Sequence, residues 1–311
     1  MSIELLQGKI RNLKSPVCFG FDPMPDRIPP YLLAEAREAY GDTPRALTSA
    51  YETFGRALLE ALAPSVPAVK FQPVCFEALG AEGMAVLDRL TRFARELGMY
   101  VIMDTSFCSI EAIAQLEAQT CFGATKIGEA DYSPFYTDAA TLNAYFGSDG
   151  IRPFLPYCKE QEKAVFLLVR SSNRSGREVQ DLLAGDRTLY TVMADLAVRL
   201  SSTEDLYGQS GFSSIGIMVG GTQPKILEQL RSRYDRLFFF VTGYGAQGGR
   251  AADVRYAFNR VGHGAVVCAA RSILCAWQKN ENDPEGRLFV DAAVKAANKM
   301  RLDILGYVNL Y

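Results

Sequence analysis

Four charged residues each close a short apolar run: Asp22 in CFGFDP, Lys70 in AVKFQP, Asp104 in VIMDTS and Arg170 in LLVRSSN. A charge ending a buried segment must face water, a ligand or an opposite charge, because burying it alone is costly. Several converging on one rim would form a polar pocket suited to acid–base or ion-pair chemistry. Taken singly, each is equally well a solvated strand end, and Asp104 also fits a helix N-cap, a position that Asp, Thr and Ser favour. A second signal is VTGYGAQGG at 241–249, followed by Arg271 in AARSIL. Four glycines in those nine positions let backbone N–H groups approach an anion closely, and an arginine can grip two oxygens of a phosphate.

Other reactive side chains carry weaker signals. The seven cysteines are spread singly, without a C-x-x-C pair, and read as reduced thiols. Cys108 stands near Asp104 with no base visible nearby, so a structural thiol is the simpler reading of it. The only histidine, His263, lies between two glycines in RVGHGAVV, which suits a turn before a strand. A zinc site or a histidine triad would depend on that single residue, and no metal site is expected.

The elements that must position these groups follow from periodicity. Strand-like runs recur at 17–22, 66–71, 99–104, 139–143, 164–170, 215–219, 237–242 and 265–269, with helix-like segments between them at 46–62, 83–97, 188–207 and 224–233. The runs are nearly continuous in apolar residues, as strands buried on both faces are. Eight such units predict a (β/α)8 TIM barrel, with an open doubly wound sheet as the alternative. Helical insertions are expected after the first strand, in PDRIPPYLLAEAREAYGDTPR, and around 185–210. Without a linker or a short repeat, 1–311 reads as one domain. In a barrel, the ends of strands 7 and 8 commonly hold a phosphate, which is where the glycine-rich loop and Arg271 fall.

Composition narrows the partners. With 49% apolar residues, 22% charged residues and a net charge of -2, there is no basic field for a nucleic acid, and no block of Lys and Arg interleaved with aromatics. No apolar run is long enough to cross a bilayer, and MSIELLQGKIRNLKS lacks a signal-peptide core, so a cytoplasmic protein is expected.

The stretches CFGFDP, VKFQPVCFEALGAEG, SPFYTDAATLNAYFGSDGIRPFL, VFLLVRSSNRSGREVQDL, GIMVGGTQP and VTGYGAQGG with AARSIL together make the chain recognisable. It resembles the orotidine 5'-phosphate decarboxylase family, in its longer bacterial branch, over nearly the whole length. The resemblance implies a homodimeric (β/α)8 barrel that converts orotidine monophosphate (OMP) to UMP without metal or organic cofactor. It implies that Gln247 and Arg271 hold the phosphate, with backbone N–H groups of the Gly243, Gly245 and Gly248 loop, and that Ser172 bonds the pyrimidine edge. Asp22 and Lys70 resemble the pair that holds the ribose and begins the charged catalytic array. Asp104 resembles the first acid of the family's D-x-K-x-x-D motif.

There the pattern breaks. DTSFCSI read against D-x-K-x-x-D-I puts Ser106 where the family has its proton-donating lysine and Ser109 where it has the acid contributed to the neighbouring subunit. Ile113 falls where a threonine faces the substrate. Decarboxylation leaves a carbanion-like centre that needs a nearby cation and a proton, and serine supplies neither at neutral pH. Lys126, in ATKIGEAD, reads as a solvated surface group rather than a replacement. Three readings stay open: a family enzyme with weak or altered decarboxylation; a non-catalytic nucleotide-binding sensor or accessory subunit, pairing with itself or with an intact homologue; or a lyase acting on another sugar phosphate.

Overall fold

The computed structural model describes residues 2–107 and 109–311. Eight strands, β1 Val17–Phe21, β2 Ala68–Phe71, β3 Tyr100–Phe107, β4 Ala139–Leu142, β5 Ala164–Arg170, β6 Ile215–Gly220, β7 Phe239–Thr242 and β8 Ala265–Ala269, close into a barrel. Every strand is parallel to its neighbours, and β1 pairs with both β2 and β8. That closure removes the open-sheet alternative and confirms the (β/α)8 barrel.

The two-residue alternation of strand side chains sorts the core into two clusters. Ala68, Tyr100, Ile102, Phe166, Phe238 and Phe240 point inward and fill the barrel, whereas Val69, Val101, Leu167, Phe239 and Val241 point outward against the helices. Both faces are dry, which explains why the strands read as unbroken apolar runs. The amino-terminal helix Ser2–Leu13 plugs the bottom: Ile3, Leu6 and Ile10 join the inner cluster, and Gln7 Oε1 accepts the Gly264 N–H at 2.9 Å. With that end closed, the carboxyl ends of the strands form the open mouth.

Most helices lie where the periodicity places them. Helix Pro44–Leu62 begins at Thr43, whose Oγ1 accepts the Ala46 N–H, and Pro224–Arg233 opens on its proline. The insertion after β1 is the helix Pro30–Tyr40. The expected insertion around 185–210 is corrected: Leu189–Thr203 is the ordinary crossover helix between β5 and β6, and the added piece is a short hairpin, Leu183–Ala184 with Arg187–Thr188, just before it. A second hairpin, Thr125–Ile127 with Ala130–Tyr132, precedes β4. Among the described residues no helix is long and apolar enough to cross a membrane.

Gly216, on the inward face of β6, makes room for two aromatic neighbours. A Cβ there would lie 2.6 Å from Phe166 Cδ1 and 2.6 Å from the Phe238 carbonyl oxygen. Gly216→Ala is therefore expected to lower the unfolding free energy by roughly 1–3 kcal/mol, read as a lower urea midpoint at unchanged slope. An unchanged midpoint would mean the interior can shift to admit a methyl group.

Candidate active site

The inward register of β1, β2 and β3 brings Asp22, Lys70 and Asp104 to one point at the mouth. Lys70 Nζ lies 2.6 Å from Asp22 Oδ1 and 3.3 Å from Asp104 Oδ2, and the lysine is only 5% exposed. Burial pulls the ammonium toward the neutral amine, but Asp22 and then Asp104 outweigh it and hold Lys70 above the ordinary lysine value. Thr141, fully buried on β4, donates to Asp104 Oδ1 at 2.8 Å and fixes that carboxylate from the other side. Asp104 is thus a member of the strand and not an N-cap, since the following helix begins only at Glu111.

Two irregularities in the sheet decide which neighbours reach the cavity. Between β5 and β6 the register runs Leu168 with Met218 and then Arg170 with Val219, so one extra residue is inserted into β5. A slip of one residue turns a side chain to the opposite face. Arg170 therefore shares the outward face of Val219, where its Nε donates to Asp181 Oδ1 at 2.7 Å and its Nη1 to the Ser171 carbonyl at 2.6 Å. Its expected place on the polar rim is corrected: it clamps the segment after β5 and does not line the cavity. The second irregularity lies between Met103 and Phe107, where β3 gains length over β4. Ser106 takes φ of +50° there, and its N–H donates to Thr141 Oγ1 at 2.9 Å.

The other side of the mouth is built from the ends of β5, β7 and β8. Ser172 Oγ donates to Gln247 Oε1 at 2.7 Å, and Gly243, with φ of +83°, leaves no space for a Cβ against Ser172 and Gln247. Asp22, Lys70, Asp104, Ser106, Ser172, Gly243, Gln247 and Arg271 all border one cavity of about 370 Å³. Gly245 and Gly248 do not; they face an adjoining groove outside the loop. The expectation that amides throughout 243–249 cradle an anion also narrows. The N–H groups of Gly245, Ala246, Gly248 and Gly249 are consumed by Gly249 O, Ser272 Oγ, Gly245 O and Gly243 O, whereas those of Gly243, Tyr244 and Gln247 are not taken up in these bonds.

Ser109 lies apart from the cavity, donating to Glu117 Oε1 at 2.5 Å, and Ile113 is exposed. Lys126 is exposed on the hairpin before β4 and does not border the cavity. Cys108 lies outside the described residues. His263 sits at the opposite end of the barrel, before β8, with Nε2 2.6 Å from the Tyr311 carbonyl oxygen. Sequence reasoning missed Gln72, Met218 and Cys268 on the cavity wall and Thr141 behind Asp104. Gln72 was detectable, since it ends its apolar run as Asp22 and Asp104 end theirs. Among the described residues no group of three His, Cys, Asp or Glu side chains is arranged to hold a metal ion.

Fold and cavity together define a (β/α)8 barrel with a charged, polar mouth at the carboxyl ends of its strands. Residues 17–282 match the model of the Orotidine 5'-phosphate decarboxylase / HUMPS family, and the chain belongs to that family. It is 34% identical over 276 residues to the orotidine 5'-phosphate decarboxylase of Rhodopirellula baltica, covering 89% of each chain. It is also 34% identical over 307 residues to that of Petrotoga mobilis, covering 98% of each. The crystal structure of a protein described as a putative orotidine 5'-phosphate decarboxylase from Streptomyces avermitilis superposes with a TM-score of 0.74 at 26% identity, over 99% of this chain and 95% of that one.

Because the Lys70 value is raised in the fold, its stabilising contribution is complete at neutral pH and is lost only as pH rises through that raised value. Lys70→Met would leave Asp22 and Asp104 facing each other. The variant is expected to lose about 3 kcal/mol at pH 7. Urea denaturation of the variant beside the unaltered protein at pH 7 checks this, and an unchanged midpoint would mean the two carboxylates do not depend on the lysine.

Proposed function

We propose that this protein is an orotidine 5'-phosphate decarboxylase-like member of pyrimidine nucleotide metabolism that binds an OMP- or UMP-type 5'-monophosphate at the barrel mouth. We further propose that its decarboxylation is weak or altered. In this reading Arg271, Gln247 and the amides of Gly243, Tyr244 and Gln247 take the phosphate. Ser172 meets the pyrimidine, and the Asp22–Lys70–Asp104 array meets the sugar and the reacting carbon.

One observation carries the reading on activity: among the described residues Lys70 is the only ammonium on the cavity wall, two carboxylates already surround it, and Ser106 borders the same cavity. A carbanion forming there would meet an array in which carboxylates outnumber cations. The stabilising charge and the proton that a free lysine at 106 would supply are both missing. Losing a preorganised charge at the reacting atom removes several kcal/mol of transition-state stabilisation, hence orders of magnitude in rate. The same observation favours a second reading, a nucleotide sensor or accessory subunit, since binding needs the phosphate end of the cavity and not the missing lysine.

Protein purified from a host lacking its own decarboxylase should turn over OMP far more slowly than an intact relative assayed beside it. Ser106→Lys should raise that rate at least about tenfold. Turnover equal to the relative's would overturn the reading of Ser106. Separately, UMP should raise the melting temperature through linkage, and Arg271→Ala should abolish the shift. No shift with UMP or OMP would remove the binding reading.

A further inference from the structure

The glycine-rich loop has two faces. Gly243 and Gln247 border the mouth cavity, while Gly245, Gly248 and Gly249 border a more open groove of about 980 Å³ on the loop's outer side. Tyr244, Ala246 and Arg271 border both spaces, so the two adjoin along these residues, of which Arg271 is the charged one. The outer groove is walled by the turn Ala276–Lys279, which presents Lys279, and by the helix Phe289–Leu305, which presents Lys299 and Asp303.

Its charge is unbalanced. Arg250 is neutralised by Asp253, with Nε 3.0 Å from Oδ2. Arg271, Lys279 and Lys299 are exposed, and none of their side chains makes a hydrogen bond or ion pair with any described residue. Among the described residues Asp303 is the one carboxylate of the lining. Three unpartnered cations from three different elements thus face one space against a single acid, a field that concentrates anions. A monophosphate in the mouth would satisfy Arg271 and leave both lysines without an anion. A guanidinium at the junction can bond oxygens of two adjacent phosphoryl groups at once.

We infer that the outer groove is a second anion subsite, which receives the distal phosphoryl group of a nucleoside 5'-diphosphate whose first phosphate lies at the loop beside Arg271. This rests on the nucleotide-binding reading above. It extends the ligand class from monophosphates to diphosphates, with Lys279 and Lys299 as the residues that distinguish them.

Calorimetric titration of the intact protein with UMP and UDP at fixed ionic strength tests it. UDP should bind about tenfold more tightly than UMP, the worth of roughly one charge-assisted hydrogen bond. The Lys279→Ala/Lys299→Ala variant, altered only at exposed side chains, should lose that gain and keep its UMP affinity. If UMP binds and UDP gains nothing, or if the gain survives in the variant, the inference falls while the nucleotide reading stands. If neither nucleotide binds, the nucleotide reading falls, and inorganic diphosphate then decides the groove: binding abolished in the double variant supports an anion subsite, and no binding overturns it.

Discussion

A lysine with almost no access to water stays charged inside an apolar barrel only if carboxylates compensate its lost hydration, and Lys70 meets that requirement through Asp22 and Asp104. The requirement reaches into the rest of the structure. Asp22 and Asp104 must hang from the strands on either side of β2, with the inward phase of all three in step, which fixes the register of β1, β2 and β3. Thr141 must then stand behind Asp104, which ties β4 to the same point. Half of the barrel mouth is thereby organised around one ammonium group.

The other half is organised by departures from regular pairing. One extra residue in β5 turns Arg170 outward to Asp181 and lets Ser171 and Ser172 reach the cavity, while positive φ at Gly243 brings Gln247 against Ser172. The irregular end of β3 does the corresponding work for Ser106. Bulges beside a site re-aim side chains without disturbing the sheet beneath. Here they separate a structural arginine from the ligand-facing residues that follow it in sequence.

The chain matches orotidine 5'-phosphate decarboxylases over most of its length, and Ser106 borders the cavity with Lys70 and Asp104. Fold similarity alone does not carry an activity, because activity lives in the charges that meet the reacting atom. On the opposite side of the mouth, the Arg271 side chain has no partner among the described residues and borders two spaces.

Much of this was legible in the residues. Apolar runs of strand length separated by helical periodicity determined the eight-stranded barrel, and the charges closing those runs identified Asp22, Lys70 and Asp104, because burial on both strand faces leaves little else for a charge to do but face a site. The glycine spacing of 241–249 located the loop that bridges the mouth and the outer groove. Tertiary structure alone decided the fate of Arg170, since a one-residue slip against a neighbouring strand leaves no trace in the slipped strand's own periodicity. It alone showed that the amides of Gly245, Ala246, Gly248 and Gly249 already have partners, in the loop or at Ser272, and that Thr141 backs Asp104, because those partners are set by three-dimensional closure. Lys279 and Lys299 came to share a groove with Arg271 for the same reason. Residues distant along the chain become one electrostatic surface only when the last helix packs against the short helical turns that follow the final strands.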